Sequence, residues 1–363
     1  MNPYNAPLND TDPQSYKPRY TREERIARRK RRRQARFMRR VGVLLCVLMI
    51  GTAAVLLLDR EKPSVAPAPA EEQPVVSAPT VSIPEEEPEP VYAFLKTEDT
   101  VQIDGAFPSE FVILLDQESG EILAEKNADQ MINPASMTKI LTLLVAVENI
   151  TDMDGTFTMT WDITDYCYNN ECSVVGYEVG EIIPIQELFY GCILSSGADA
   201  CLALAEIAAG SHENFVVLMN QKLDELGLSE TAHFTNCVGL YDEDHYCTVG
   251  DMAMMLRAAL EHEFCEEVLS TKVFSSAPTQ EHPAGQDLSN WFIRRIEDED
   301  TGSVDVLYGK TGYVSESGFC AASGGVTENG QTFLCVTGNS TSTWQSIYDH
   351  AELYRTYCTT EAE

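Results

Sequence analysis

Three short segments contain residues whose types and spacing suit nucleophilic chemistry. In the first, Ser136-Met137-Thr138-Lys139, a hydroxyl and an amine are three residues apart. On a helix this spacing puts both side chains on one face, one turn apart. A lysine among apolar residues loses hydration, so it can act as a neutral base towards the serine. The segment predicts an activated serine nucleophile, although a helix-capping serine followed by an ion-paired lysine fits it equally well when it is taken alone.

Two later segments could complete such a site. Ser196-Gly197-Ala198-Asp199-Ala200 follows the apolar stretch 188–194, where a loop could present a hydroxyl group. Lys310-Thr311-Gly312 follows a β-like run, and the glycine would let a substrate backbone approach the strand closely. Together the three segments supply two serine hydroxyls and two lysine amines that could serve nucleophilic chemistry.

The elements that must position these residues alternate between strands and helices. Residues 136–150 are apolar on nearly every face, which predicts a fully buried helix. Turn signals between short apolar runs predict one hairpin near 111–124 and another near 318–338. Further helical patterns cover 185–209, 213–226, 248–260 and 346–357. Strands from both ends of the domain, with helices between them, predict an α/β (α+β) fold in which helices cover one sheet.

In their order, the three segments resemble the Ser-x-x-Lys, Ser-x-Asn and Lys-Thr-Gly set of penicillin-binding proteins and β-lactamases. The flanking residues are closer to the low-molecular-mass D-alanyl-D-alanine carboxypeptidases. The segments that carry this resemblance are Asn133–Lys139, Ser196–Ala200, Phe234-Thr235-Asn236, Gly239-Leu240 and His245-Tyr246 ahead of Asp251. The resemblance spans about residues 108–355. It implies a β-lactamase/transpeptidase-like fold with an antiparallel sheet, flanking helices and a helical subdomain.

The resemblance also implies a role for each matching residue. Ser136 would attack the carbonyl of the penultimate D-alanine and form an acyl-enzyme. Lys139 would take its proton, and Ser196 would relay a proton to the departing D-alanine. Lys310, Thr311 and Gly312 would bind the terminal carboxylate side of the substrate, and the backbone of Tyr313 would complete an oxyanion hole with that of Ser136. No cofactor or metal is implied.

Two departures from the family pattern affect the expected turnover. Ala198 stands where the family usually has asparagine, so one amide is missing from the site. Between Lys310 and Arg355 there is no basic residue, whereas several family members place an arginine there to help bind the carboxylate.

A basic and an apolar segment near the N-terminus predict a membrane anchor. Residues 1–40 hold 13 of the 25 Lys and Arg residues, and residues 41–58 form an uncharged apolar run. Such a run can cross a bilayer core of roughly 30 Å as a helix. The basic flank predicts a cytoplasmic N-terminus and an external domain in the cell membrane. A cleaved signal peptide is the alternative, which the long basic region fits less well.

The rest of the chain divides into a spacer and a folded domain. Residues 59–92 are rich in Pro, Ala and Glu and predict an extended linker, which leaves 93–363 as the catalytic domain. Beyond residue 40 the chain has 12 basic and 53 acidic residues, a balance of 12 − 53 = −41. Such a surface would repel phosphate backbones, so we expect no nucleic-acid partner.

The cysteines and tryptophans allow more than one interpretation. Ten of the 11 cysteines lie beyond the apolar run and could form disulfides, for example Cys167 with Cys172 or Cys237 with Cys247, or could be buried thiols. The spacing of His233, Cys237, His245 and Cys247 matches no standard zinc framework. Trp161, Trp291 and Trp344 are expected to be packing or wall residues rather than a sugar platform.

Together these observations predict a serine-type D-Ala-D-Ala carboxypeptidase that trims peptidoglycan stem pentapeptides and is acylated by β-lactams. Two alternatives remain open. One is a wall-binding or scaffolding protein with the same fold and impaired turnover, which the alanine at position 198 suggests. The other is a β-lactamase, which is disfavoured because no glutamate-based, water-activating motif is evident between Ser196 and Lys310.

Overall fold

A computed structural model describes residues 92–358 of the chain. The predicted cytoplasmic tail, the predicted membrane span at 41–58 and almost all of the predicted linker lie outside these residues. Within 92–358, no single helix is both long and apolar enough to cross a membrane. The bent pair Ala198–Ala209 and His212–Glu225 passes that test only when the two helices are taken together.

The centre of the fold is a six-stranded sheet with the order β1-β3-β2-β10-β9-β8. Its strands are β1 (Val101–Gln102), β2 (Phe111–Asp116), β3 (Ile122–Lys126), β8 (Val304–Val314), β9 (Gly318–Thr327) and β10 (Thr332–Ser340). Both predicted hairpins are present, as β2–β3 and β9–β10. The predicted antiparallel arrangement holds except at one edge, where the two-residue β1 pairs in parallel with β3.

Two small two-stranded sheets lie outside the central sheet: β4 (Thr156–Thr158) with β5 (Ile182–Pro184), and β6 (Val273–Ser275) with β7 (Asp287–Ser289). The α-helices are α1 (Lys139–Asn149), α2 (Trp161–Asn169), α3 (Ile185–Leu194), α4 (Ala198–Ala209), α5 (His212–Glu225), α6 (Val249–Leu260), α7 (Glu263–Ser270), α8 (Ile293–Ile296) and α9 (Thr343–Tyr357). A 3₁₀ turn, Ala135–Thr138, precedes α1.

The central sheet separates two hydrophobic cores. Successive side chains of a strand point to opposite faces, so Ile113 and Leu115 of β2 enter the larger core while Val112 and Leu114 enter the smaller one. The larger core contains α1, which is buried at every position from Lys139 to Val147, as its uniformly apolar sequence predicts. The smaller core lies under α8 and α9.

Two boundaries differ from those predicted. The buried helix expected over 136–150 begins as a 3₁₀ turn, so Ser136 precedes the α-helix proper. The helical pattern over 185–209 is broken by a turn at 195–197, where Ser196 has a φ of 54°. This turn agrees with the loop expected after the apolar stretch 188–194, although α4 already begins at Ala198. Helices α2, α7 and α8, strand β1 and the two small sheets were not predicted from the sequence.

The ten cysteines of the described residues are all free thiols, and nine of them are buried. Neither Cys167 with Cys172 nor Cys237 with Cys247 forms a disulfide here. Burial raises the pKa of the Cys237 and Cys247 thiols well above the ordinary value, which keeps both protonated. The structure therefore favours the interpretation of these residues as small core side chains.

A buried histidine in the smaller core predicts acid sensitivity. His350 of α9 contacts the hydroxyls of Ser323 at 2.6 Å and Thr337 at 3.0 Å, and burial lowers its pKa from 6.5 to about 3. Below pH 6.5 the unfolded chain binds a proton that the folded chain does not, so stability falls as pH falls towards 3. In thermal unfolding between pH 7 and pH 4, we expect His350→Gln to have a lower melting temperature than the wild type at pH 7. Its melting temperature should also fall less steeply than that of the wild type as the pH is lowered. The exposed His262→Gln variant is the control and should follow the wild type; an unchanged decline in His350→Gln would contradict the prediction.

Candidate active site

The first element of the site is the 3₁₀ turn that carries Ser136. The Lys139 amine (Nζ) lies 3.0 Å from the Ser136 hydroxyl (Oγ), and the Lys139 side chain is only 2% exposed. Ala135 has a φ of 48°, an uncommon conformation for a residue with a side chain. Such strain concentrates at functional sites, where the surrounding structure enforces it. The hydroxyl and amine are therefore brought together in a buried, strained turn.

The loop 236–240 forms the floor beneath this pair. The Asn236 side-chain oxygen accepts from three successive backbone N–H groups, those of Val238, Gly239 and Leu240, at 2.8–3.2 Å. This turn directs the Val238 carbonyl at Lys139, whose amine donates to it at 2.5 Å. The carbonyl orients the amine towards the serine, and sequence reasoning missed it because a backbone acceptor has no side-chain signature.

Gly239 allows this loop to approach the nucleophile. It has a φ of 80°, and an added Cβ would lie 1.9 Å from the Ala135 carbonyl oxygen and 2.9 Å from the Ser136 nitrogen. We expect Gly239→Ala to slow acylation by penicillin more than tenfold, because about 1.4 kcal/mol of lost transition-state stabilisation suffices for a factor of ten. The matched control is Gly330→Ala, which has a similar φ of 88° but open space at the Cβ position. It should lose some stability and keep its acylation rate; equal acylation rates in the two variants would contradict this explanation.

The second hydroxyl and the second amine meet on the other side of the cleft. The Lys310 amine (Nζ) lies 2.9 Å from the Ser196 hydroxyl (Oγ) and also donates to the Thr311 carbonyl at 2.8 Å. Ser196 lies in the turn between α3 and α4, and Lys310 on β8, 114 residues later. The fold thus brings together two segments that the sequence keeps far apart.

The Lys139 amine affects the titration of the Lys310 amine. Burial, and then the positive charge of Lys139, lower the pKa of Lys310 from 10.5 to about 7. Lys310 is 3% exposed, so little water screens this repulsion. The cleft therefore gathers two lysine amines within a strongly acidic domain, and it suits an anionic substrate group.

β8 joins the two halves of the site. It is the end strand of the sheet, so its outer edge faces the 3₁₀ turn rather than another strand of the described residues. An added Cβ on Gly312 would lie 3.0 Å from both the Ser136 nitrogen and the Pro134 carbonyl oxygen. The missing side chain therefore lets the Lys-Thr-Gly backbone approach the nucleophile. Beyond it, Tyr313 is 56% exposed and stacks on Phe319 with ring centroids 4.4 Å apart.

The contacts of the segment after Ser196 stabilise the turn that carries this serine. Ala198 is buried, and its N–H donates to the Ser173 carbonyl at 2.8 Å. The Asp199 carboxylate accepts from the N–H groups of Val175 and Gly176 at 2.9 Å each. These bonds fix the irregular segment 173–177 against the turn that carries the second hydroxyl. No amide is present at position 198 to contact Lys139.

His245 is part of the supporting structure. It is buried, its Nε2 lies 2.8 Å from the Thr138 hydroxyl, and its Nδ1 accepts from the Thr235 N–H at 3.0 Å. Burial lowers its pKa to about 3, so the ring is neutral at physiological pH. His245 thereby connects the nucleophile turn to the segment that leads into the floor loop. Within residues 92–358, no group of three or more His, Cys, Asp or Glu side chains is arranged to hold a metal ion.

The basic residue that follows Lys310 in the sequence does not reach this cleft. Arg355 lies 3.7 Å from Asp300 and packs against Gly302, just before the first residue of β8. Lys310 and the Lys-Thr-Gly segment occupy the second half of the same strand. Any carboxylate bound there depends on Lys310 and its neighbours.

Comparisons with known proteins give a consistent result. Residues 97–341 match the family model described as D-alanyl-D-alanine carboxypeptidase. The carboxypeptidase DacF of Bacillus subtilis is 31% identical over 253 residues, which cover 69% of this chain and 62% of that protein. DacC of Escherichia coli is 38% identical over 162 residues, which cover 43% of this chain and 40% of that protein. The matched region thus spans roughly two fifths to three fifths of these relatives.

Solved structures share the fold. A Streptomyces DD-transpeptidase superposes with a TM-score of 0.62 at 24% identity, covering 70% of this chain and 98% of that one. A D-alanyl-D-alanine carboxypeptidase from Mycobacterium tuberculosis gives a TM-score of 0.62 at 22% identity, covering 74% and 97%. The predicted sheet flanked by helices is confirmed at this level.

Proposed function

Because the chain belongs to the D-alanyl-D-alanine carboxypeptidase family of serine peptidases, we propose that it removes the terminal D-alanine from peptidoglycan stem peptides through an acyl-enzyme. The observation that carries this proposal is the buried Lys139 amine 3.0 Å from the Ser136 hydroxyl. The second pair, Lys310 and Ser196 at 2.9 Å, supports it.

In the acylation step, Lys139 acts as the general base and accepts the proton of Ser136 as the serine oxygen attacks the carbonyl of the penultimate residue. Oriented proton transfer of this kind contributes roughly 10²–10⁴ in rate. The backbone N–H groups of Ser136 and Tyr313 stabilise the oxyanion, and one such donor is worth about 10²–10³. The close approach that Gly312 permits supports this pairing.

Collapse of the tetrahedral intermediate breaks the C–N bond. Protonated Lys139 returns the proton through Ser196 to the leaving amine, so D-alanine departs neutral at nitrogen. Water then attacks the acyl carbon and gives a proton to Lys139. The bond between the acyl carbon and the Ser136 oxygen breaks, and Lys139 passes the proton to that oxygen, which regenerates the Ser136 hydroxyl and releases the shortened peptide. No cofactor is needed for this sequence, and β-lactams would stop it by acylating the same serine.

Lys310 and Thr311 bind the terminal carboxylate in this mechanism. The charged form of Lys310 attracts the carboxylate. Because this chain lacks the arginine that several family members place beyond this lysine, few other groups can bind the carboxylate. Its pKa near 7 therefore has a direct consequence for the pH dependence of the reaction.

We expect kcat/KM for D-alanine release to fall as pH rises through about 7, because kcat/KM reports the free enzyme and deprotonated Lys310 no longer attracts the carboxylate. An arginine remains charged throughout this range. The Lys310→Arg variant, although less active, should keep its kcat/KM to a higher pH. If both proteins lost activity at the same pH, a group other than Lys310 would control the fall of kcat/KM at high pH. The matched control is Lys272→Arg, which changes an exposed lysine and should leave the pH dependence as in the wild type.

We further propose that residues 41–58 anchor the protein in the cell membrane with the N-terminus in the cytoplasm. The uncharged apolar run and its basic flank support this arrangement. The Pro- and Glu-rich residues 59–92 would then hold the catalytic domain away from the bilayer on the external side, where its substrate lies.

The test of the proposed function is D-alanine release from a synthetic pentapeptide ending in D-Ala-D-Ala, using the full chain in detergent. We expect release that penicillin abolishes. Binding of the pentapeptide without release would instead support a scaffold with impaired turnover, which the alanine at position 198 favours. Rapid hydrolysis of a chromogenic β-lactam would identify a β-lactamase.

A further inference from the structure

An exposed aromatic cluster lies on the surface formed by α8 and α9. We call it the aromatic patch and define it as Trp291, Arg295, Trp344 and Tyr348. The Trp291 and Trp344 rings meet at 66° with centroids 5.4 Å apart, and Trp344 and Tyr348 stack at 6.1 Å. The Arg295 guanidinium lies 4.3 Å above the Trp291 ring. Trp344 is 46% and Tyr348 44% exposed, so these rings present surface to solvent.

The patch is held rigidly. Trp344 and Tyr348 are one turn apart on α9, whose opposite face is buried through Ile347 and Tyr354. The helix start is capped by Ser342, which accepts from the Gln345 N–H at 3.0 Å. Rigid aromatic surfaces bind ligands at low entropic cost, since few rotamers must be fixed.

The patch is also connected to the active-site strand. Asn290, which precedes Trp291, donates through its side chain to the Gly309 carbonyl at 2.9 Å. Gly309 immediately precedes Lys310 on β8, and the Phe292 ring packs directly against it. Asn290 and Phe292, the two neighbours of Trp291, therefore connect the aromatic patch to the strand that carries Lys310.

The charge around the patch restricts its ligand. Four consecutive acidic residues, at positions 297–300, follow α8 directly, and the exposed Glu352 lies one turn beyond Tyr348 on α9. Glu297 pairs with Lys272 and Asp300 with Arg355, and α8 also carries Arg294 and Arg295. The positive charges therefore nearly balance the acidic rim, which offers no net attraction to anionic lipid surfaces or phosphate-rich polymers. Exposed aromatic surface with a polar rim marks an interaction site, and here it suits a neutral ligand with flat apolar faces.

We infer that the aromatic patch binds the sugar backbone of the cell-wall polymer, as a subsite for N-acetylated amino sugars. Pyranose rings present C–H faces that pack on tryptophan and tyrosine, and their amide and hydroxyl groups can bond the Arg295 guanidinium and the acidic rim. The inference rests on the proposed function, because the stem peptide that enters the cleft is attached to such a sugar chain. The patch would hold the polymer while successive peptides reach Ser136.

The direct test is binding of fluorescently labelled chitohexaose, a neutral N-acetylglucosamine hexamer, to the full chain in detergent, followed by fluorescence polarisation. We expect saturable binding that is at least about tenfold weaker in the Trp344→Ala/Tyr348→Ala double variant, as two lost ring contacts imply. Trp344→Phe, which keeps a ring, should retain most of the affinity. Trp161→Ala removes a more exposed tryptophan elsewhere (73% exposed, against 46% for Trp344) and should bind as the wild type does.

Separate readouts distinguish this inference from the proposed function. The double variant should release D-alanine from a sugar-free pentapeptide at the wild-type rate and act several-fold more slowly on intact sugar-linked polymer. Equal chitohexaose affinity in the wild type and the double variant, or no binding by the wild type, overturns the sugar subsite even where D-alanine release is normal. Failure of D-alanine release in every protein overturns the proposed function instead. In nanodiscs containing brominated phosphatidylcholine, quenching specific to Trp344 would identify a membrane-facing patch and also overturn the inference.

Discussion

Replacing Ser136 with alanine is expected to abolish covalent labelling by penicillin and to reduce D-alanine release by about 10⁴- to 10⁶-fold, the range seen when a serine enzyme loses its nucleophile. Among residues 92–358, the Ser136 hydroxyl has one side-chain hydrogen bond, the 3.0 Å contact with Lys139, so its removal leaves the fold intact. Fluorescent penicillin followed on a denaturing gel measures the first effect, and enzymatic detection of D-alanine measures the second.

The control for this prediction is Ser119→Ala, which removes a hydroxyl from the exposed turn between β2 and β3. It should be labelled as fully as the wild type. Equal labelling of the Ser136→Ala variant would show that another residue is acylated, and the assignment of the nucleophile would be wrong.

Replacing Lys139 with methionine is expected to slow acylation by about 10²- to 10⁴-fold, the usual contribution of a general base. Methionine has similar length and no charge, so it can occupy the buried site without the desolvation that the amine requires. Lys139→Arg should also be slow, because a guanidinium retains its proton and cannot act as a base. Stopped-flow acylation by a chromogenic β-lactam measures both rates.

The Lys139→Met variant also separates catalysis from folding. Its melting temperature should be close to that of the wild type, while its acylation rate falls. Lys222→Met is the matched control: this lysine pairs with Glu148 at 2.9 Å, remote from the cleft, so its loss should lower stability slightly and leave acylation unchanged. Acylation of Lys139→Met within a few-fold of the wild-type rate would exclude Lys139 as the base.

Local parts of the site could be predicted from the sequence, whereas its assembly could not. A spacing of three residues places Ser136 near Lys139 in either a 3₁₀ or an α-helical turn, so the wrong helix type did not affect the pair. The contact between Ser196 and Lys310 joins segments 114 residues apart. No periodicity encodes that distance; it was expected only through the resemblance to a known family.

Backbone features were the least predictable. The Val238 carbonyl that accepts from Lys139 and the positive φ angles at Ala135 and Ser196 have no signature in residue type. Tertiary contacts impose them: the floor loop passes directly beneath the nucleophile, and Gly239 alone has the space and conformational freedom to allow it. The exposure of Trp344 was likewise unexpected, because an isolated tryptophan is more often packed.

The central claim is that Ser136 forms the acyl-enzyme. Its most direct test is mass spectrometry of the full chain after reaction with benzylpenicillin and digestion by trypsin. Cleavage after Lys126 and Lys139 isolates residues 127–139, in which Ser136 is the only serine. We predict that this peptide gains the mass of one penicilloyl group, located on Ser136 by fragmentation. An adduct on any other residue, or no adduct on a protein that still releases D-alanine, would contradict the mechanism.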